Sequence, residues 1–329
     1  MNNVIMSHTA VLSHFLRVQS TQISGQYDII MSMKTNRSVL PQLLLLYLIW
    51  GFNWVVMRVA NDYFPPMFFV ACRFSIGAIA LLIVCAARGK LIPPREVWPW
   101  IAVTGVLMMS MNNLIVQICT MYIGAGLTAV LDYMQSIFVC IMAAFLLGER
   151  FTLRKLFGIV FSVIGLAILM NINMTPHIWA VFLALGAALI WAVSNIIVKA
   201  KLADCDMLQY TAWQMACGSF ILLIYLFTGA QDALQGGMQL LSVSVTSSAI
   251  AIGVLLYNGL IASAFAFVLW NYILTHMEAG QASIAVMGVP AVGVLSGVLV
   301  LHEPMSWTIA LGMAMIFCGI FAVLGRGEK

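Results

Sequence analysis

The chain has 329 residues, of which 63% are hydrophobic and 8% charged, and its mean hydropathy is +1.04. A soluble domain carries charge on about a quarter of its residues, so water is not the main solvent here, and apolar blocks that recur from residue 40 to 324 exclude a single anchor on a soluble enzyme. A formal charge of +4, from 15 Lys plus Arg against 11 Asp plus Glu, is too small to mark a nucleic-acid surface and reads as membrane topology.

Residues 1–38 are mixed and polar and lack the apolar core of a secretory signal. They read as a disordered cytoplasmic tail or as an over-extended start of translation ahead of Met31 and Met33. Ten apolar blocks follow, each near the ~20 residues that a bilayer core requires: 39–59, 66–86, 98–118, 124–146, 153–171, 177–198, 208–228, 248–270, 279–300 and 306–325. Short separators carry turn chemistry, such as Pro65-Pro66 and Pro93-Pro94. Residues 326–329 form a short cytoplasmic end. With the amino terminus inside, 13 of 15 basic residues fall on the cytoplasmic side, leaving Arg58 and Arg73. The positive-inside rule therefore predicts both termini in the cytoplasm.

Two stretches repeat. LIWGFNWVVMRV (48–59) matches LIWAVSNIIVKA (189–200) at an offset of 141, pairing Trp50 with Trp191 and Arg58 with Lys199. At an offset of 154, Gly126 aligns with Gly280, Glu149 with Glu303, Gly158 with Gly312 and Gly165 with Gly319. The loop near 232–247 is 13 residues longer than its counterpart and accounts for the change of offset. The predicted fold is thus an all-α polytopic membrane protein of ten transmembrane helices, in two five-helix repeats, 39–171 and 177–325. Five being odd, the repeats are inverted, an arrangement that underlies much secondary transport.

At this point the residues resemble a known family. Trp50, Gly51 and Trp54 in the first span, Arg73 in the second, the LLGER turn at 146–150 and the glycines of the fifth span are similar to the EamA domain of the drug/metabolite transporter superfamily, present twice. The second copy has LHEP at 301–304. The resemblance implies a ten-helix transporter whose central cavity is lined by the first, third and fourth helices of each half. One departure stands out: Pro290 aligns with Ser136, so a bend that depends on proline is expected in the second half only.

Asp132 is the one carboxylate placed deep in a span, where it costs about 2.5–3.5 kcal/mol. Arg73 lies at a comparable depth, so a buried ion pair Arg73–Asp132 is expected, either structural or at the site. Thr128, Asp132 and Gln135 share a helix face, with Ser136 beside them, and Ser110, Asn113 and Gln117 repeat that pattern on the third span. Asn53 and Trp54 on the first span, Trp191 and Asn195 on the sixth, and Trp270 and Asn271 on the eighth add amides and aromatics. Together they form a candidate binding surface for a small amphipathic metabolite, although such amides also bond helices together. Glu149 and Glu303 read as structural carboxylates near the start of the following helix. Arg58 and Lys199 are expected to reach the headgroups.

Intramembrane hydrolysis lacks its signatures: there is no second deep Asp, no GxSG serine and no HExxH, and no Walker A loop is present. No cofactor or metal is implied, and the seven cysteines form no CxxC pair. The partners expected are a small-molecule substrate, membrane lipids and a coupling proton, without nucleic acid; the Gly293-x-x-x-Gly297 spacing fits a homodimer face. The predicted function is a secondary transporter of the inner membrane that exports an amino-acid-like or amphipathic compound. A passive uniporter and a non-transporting binding or regulatory protein are the alternatives.

Overall fold

The computed structural model describes residues 39–169, 177–229, 245–301 and 306–324. Residues 1–41 and 42–329 form two compact units, and of the first only 39–41 are described. The rest of the 1–38 tail, the 170–176 and 230–244 connections, Glu303 and the carboxyl end lie outside the described residues.

All regular structure among the described residues is helical. The first helix, α1, spans Leu40–Asn61, and α2 spans Pro66–Ala87, opened by Pro65 with proline at its first position, where a missing N–H costs nothing. Helix α3 (Trp98–Gly105) continues through a π-helical segment (Val106–Asn112) into α4 (Asn113–Tyr133), and α5 is Gln135–Leu146. Then come α6 (Leu153–Leu169), α7 (Ile178–Ile197, extended by a π segment to Leu202) and α8 (Met207–Gly229). Helix α9 (Val245–Leu256) passes through a π segment (Tyr257–Phe265) into α10 (Ala266–His276). The last are α11 (Ala279–Ala285), α12 (Gly288–Leu301) and α13 (Trp307–Leu324).

Among the described residues, six stretches are long and apolar enough to cross a membrane: Leu40–Met57, Pro66–Ala87, Arg95–Val116, Ile178–Leu202, Met207–Thr228 and Ala249–His276. Shorter apolar helices are Leu131–Leu146, Ala279–Gly293 and Ala310–Leu324. The molecule is a polytopic membrane protein. The expected gap between the third and fourth spans is not a break in helical structure, since α4 runs through it. The chain nonetheless reverses there: Asn112 Nδ2 lies 3.1 Å from Asp132 Oδ1, whereas 20 residues of straight helix would hold them about 30 Å apart.

The fourth and ninth spans are both interrupted, at Met134 and at residues 286–287. A break without proline thus accompanies the proline-dependent one. Pro290 has no N–H to give to the Val286 carbonyl, which receives the amide of Val289 instead. In the first half Met134 tightens the helix without proline, through i→i+3 bonds from Met134 N to Leu131 O and from Ile137 N to Met134 O. Ser136, at the proline-equivalent position, donates across to Ser283 O at 2.7 Å.

Glycines set the closest approaches, and they do so reciprocally. Helices α6 and α13 run antiparallel: a Cβ on Gly165 would stand 2.6 Å from Gly312 O, and one on Gly319 would stand 2.7 Å from Gly158 O. Gly158 thus packs on the repeat-mate of Gly165, and Gly165 on the repeat-mate of Gly158. A second crossing repeats the rule. A Cβ on Gly77 of α2 would lie 3.0 Å from Gly259 O, and one on Gly218 of α8 would lie 2.7 Å from Gly105 O. Gly77 and Gly218 are 141 apart, and Gly105 and Gly259 are 154 apart, the same two offsets found in the sequence. Contacts of the form i to j′ and j to i′ are what two-fold related units produce. Gly293, expected on a dimer face, approaches Gly51 of the same chain.

Candidate substrate site

Four helices bring aromatic rings together. Phe267 of α10 has its ring centroid 5.4 Å from Trp50, 5.9 Å from Phe74 and 6.0 Å from Trp191, and Trp270 lies 6.2 Å from Trp50. The Trp50 indole donates to Ala262 O, a carbonyl within the π segment after α9. That extra residue per turn redirects carbonyls and side chains, and π segments recur at functional sites. The π segment of the third span lies at an overlapping aligned position.

Around the rings, buried polar atoms have no hydrogen-bond partner among the described residues: Asn53 Oδ1, Arg73 Nε, Trp191 Nε1, Asn195 Nδ2, Asn258 Oδ1 and Ser263 Oγ. Each such atom costs about 1–3 kcal/mol if left bare, and buried polar groups in native proteins are rarely orphaned.

The ion pair expected between Arg73 and Asp132 is not formed. Arg73 directs Nη1 to Met57 Sδ at 3.7 Å and holds its guanidinium 4.6 Å over the Phe74 ring. Asp132 accepts from Asn112 Nδ2, which also donates to Ala187 O. The two groups sit apart, with the rings of Phe74, Phe267 and Trp191 leading from Arg73 to the helix that carries Ala187. Asp132 remains half-buried.

The expected polar face of the third span is also shifted. Asn112, not Asn113, meets Asp132, while Asn113 donates to Met108 O at 2.8 Å. A regular 3.6-residue period cannot foresee this, because the π segment that ends at Asn112 rotates the face. Ser110 donates to Gly218 O at the second glycine crossing. Gln135 is buried with Oε1 unpartnered among the described residues, and the break at Met134 separates it from Asp132. Asn195 accepts from Trp270 Nε1, and Asn271 donates to Thr211 Oγ1 and Gln214 Oε1; all three of Asn195, Trp270 and Asn271 are fully buried. Trp191 is one of the clustered rings, and it and Asn53, one turn after Trp50, each carry a buried atom unpartnered among the described residues. The side chains of Trp54, Gln117 and Arg58 lie outside the described residues.

Phe267, Asn258 and Gln214 are absent from the sequence expectations. Only the repeat offset signals one of them: Gln214 is the aligned partner of Arg73.

At one end of the helices, two turns grip the other repeat. Gly148 takes φ +69°, and Glu149 N closes the turn onto Ala143 O. The Glu149 carboxylate then accepts from the backbone amides of Ala279 at 2.6 Å and Gly280 at 3.1 Å. Glu149 does cap a helix start, but that of α11 rather than of the following helix. Lys155 bridges Glu149 at 3.2 Å and Glu278 at 2.8 Å. Lys199, expected at the headgroups, instead donates to the carbonyls of Thr275 and Met277 at the end of α10. Nearby turns join Arg88 and Lys90 to Asp206, each at 3.3 Å. Partial burial opposes ionisation of Asp206, but the Gln209 amide and these two cations hold its carboxyl below the usual carboxylate range.

No group of three or more His, Cys, Asp or Glu side chains arranged to hold a metal occurs among the described residues, and the seven cysteines are free thiols. The model of the EamA-like transporter family matches twice, at residues 38–171 and 178–325. The chain belongs to the EamA-like transporter family. It is 32% identical over 281 residues to the "Uncharacterized transporter YoaV" of Bacillus subtilis strain 168, covering 83% of this chain and 92% of that one. The "Probable amino-acid metabolite efflux pump" of Escherichia coli strain K12 is 26% identical over 284 residues, covering 84% and 92%. The "Probable terminal-alkyne amino-acid exporter" of Streptantibioticus cattleyicolor is 25% identical over 305 residues, covering 90% and 98%. A crystal structure shares the fold with a TM-score of 0.73 at 18% identity, over 87% of this chain and 96% of that one. The family and these relatives are transporters of the drug/metabolite kind, not enzymes.

Proposed function

We propose that this chain is an alternating-access exporter of a small amino-acid-like or amphipathic metabolite, built as two inverted five-helix repeats in the inner membrane with both termini cytoplasmic. The observation that carries the reading is the reciprocal glycine contact between antiparallel α6 and α13. A two-fold axis that relates antiparallel helices is perpendicular to them. For membrane-crossing helices such an axis lies in the membrane plane, which gives the repeats opposite topology and two mirrored ways to enclose a midplane site. The ring cluster of Trp50, Phe74, Trp191 and Phe267 supplies apolar walls, and the unpartnered amides and guanidinium supply the polar contacts.

Arg88, Lys90, Lys155 and Lys199 all meet turns at the end assigned to the cytoplasm, in keeping with the positive-inside rule. The printed names of the amino-acid exporters among the relatives support the solute class. Asp132, with a neutral amide as its partner, is the group on which a coupling proton would ride.

The test is flux in liposomes holding the purified protein. Labelled L-leucine should exchange faster than in empty vesicles, and Asp132→Asn should flatten the pH dependence of that exchange. Flux at the empty-vesicle rate over a panel of amino acids and amphipathic amines would overturn the transport reading. An unchanged pH profile in Asp132→Asn would remove the proton from that residue.

A further inference from the structure

The two-fold relation exposes an inequality at the second glycine crossing. Gln214 of α8 and Arg73 of α2 are aligned at the offset of 141, each one turn before its crossing glycine. Gln214 is fully buried and has both ends of its amide engaged: Nε2 donates to Thr104 Oγ1 at 2.7 Å, and Oε1 accepts from Asn271 Nδ2 at 3.3 Å. At the offset of 154 the counterpart of Thr104 is Asn258. Its Oδ1 is unpartnered among the described residues, while its amide nitrogen bonds only locally to Val254 O. Among the described residues Arg73, 7% exposed, has a thioether as its acceptor at Nη1 and none at Nε. Among the described residues, one scaffold is thus neutral and saturated in one copy, cationic and unsaturated in the other.

A guanidinium taken out of water requires an anion and planar acceptors, and a thioether is a poor substitute for either. Asp132 is engaged with Asn112. The faces next to Arg73 are apolar: its guanidinium lies over Phe74, and that ring abuts Phe267 and, through it, Trp50 and Trp191. We infer that Arg73 is the anchor for the carboxylate of the transported solute, in a subsite framed by Met57, Phe74 and Asn258. The ring cluster takes the solute's apolar body. A planar guanidinium binds a carboxylate through two parallel N–H bonds, which a lysine does not reproduce. The inference rests on the transporter reading above and narrows it to carboxylate-bearing solutes.

The experiment follows thermal unfolding of the full chain in detergent with three probes of one shape: L-leucine, 4-methylpentanoate (carboxylate, no amine) and L-leucinamide (amine, no carboxylate). The two carboxylates should raise the melting temperature and leucinamide should not. Arg73→Gln installs the residue already accommodated at the aligned position and should raise the half-saturating concentration of both carboxylates at least about tenfold. Arg73→Lys should fall between. By the repeat relation that sets Thr104 on Gln214, Asn258→Asp should bring a carboxylate of the chain to Arg73, raise the resting melting temperature and abolish the response. It carries the test with Arg73→Lys if Arg73→Gln does not fold.

An equal response in Arg73→Gln overturns the subsite. So does a wild type that answers leucinamide alone or none of the three. Measured flux of any solute alongside such a result overturns the subsite only, whereas Arg73-dependent carboxylate binding without flux overturns the transport reading only.

Discussion

The α6–α13 seam and the crossing at Arg73 and Gln214 follow the same two-fold rule with opposite chemistry. At the seam, the positions that meet carry glycine in both copies, backbone rests on backbone, and the contact reads alike from either half. At the other crossing the glycines are again matched, but the side chains one turn away are arginine in one copy and glutamine in the other. Where duplicated sequence has kept identity, the requirement is steric. Where it has diverged into charge, the requirement is chemical. The Glu149 turn shows the same divergence, because Lys155 and Glu278, which complete its cluster, align with Ile309 and Gly124.

The largest expected effect is at the seam. Gly165→Val forces a branched side chain onto Gly312 O and the Met315 side chain, a misfit of a kind that costs about 1–3 kcal/mol and more where backbone must move. Gly319→Val, at the aligned position, should be equally harmful if the contact is reciprocal, since its Cβ meets Gly158 O at 2.7 Å. The check is the yield of monodisperse protein on size exclusion. A severe loss for one and none for the other would break the two-fold rule.

Next is Glu149→Gln, which weakens the grip on the Ala279 and Gly280 amides and removes one of two partners of buried Lys155. Breaking a buried pair costs about 3–5 kcal/mol, lessened here because Glu278 keeps a hold on Lys155. Melting should drop by several degrees, and Lys155→Met added to Glu149→Gln should cost less than the sum of the two changes.

The smallest effect is Asp206→Asn, under about 1 kcal/mol, since Arg88 and Lys90 are well exposed. Its pH dependence has a definite sign. A carboxyl whose folded pKa is lowered adds stability above its unfolded pKa and loses it as pH falls through the folded one. The gap in melting temperature between wild type and Asp206→Asn should therefore be full at neutral pH and close on acidification below the usual carboxylate range.

Much of the architecture was legible because apolar block length and turn chemistry are local. The blocks predicted at 66–86, 208–228 and 279–300 match α2, α8 and the α11–α12 pair to within a residue or so at each end. The site was less legible, for two reasons. The π segment before Asn113 changed the register of the polar face, so Asn112 meets Asp132 while Asn113 turns to Met108 O. And depth along a span says nothing of azimuth, so Arg73 and Asp132, level in sequence, face different neighbours. Phe267 was passed over because a phenylalanine in an apolar helix carries no signal until the rings around it are known.

The exchange of glycines between α6 and α13 has a corollary for how such a molecule can be taken apart. A patch that fits its own repeat also fits itself. Each half bears both glycine positions of the seam, so a polypeptide carrying only one of them presents a self-complementary surface to a second copy packed antiparallel to it. Joining the halves in one chain fixes their stoichiometry and frees each to carry a different residue at positions 73 and 214.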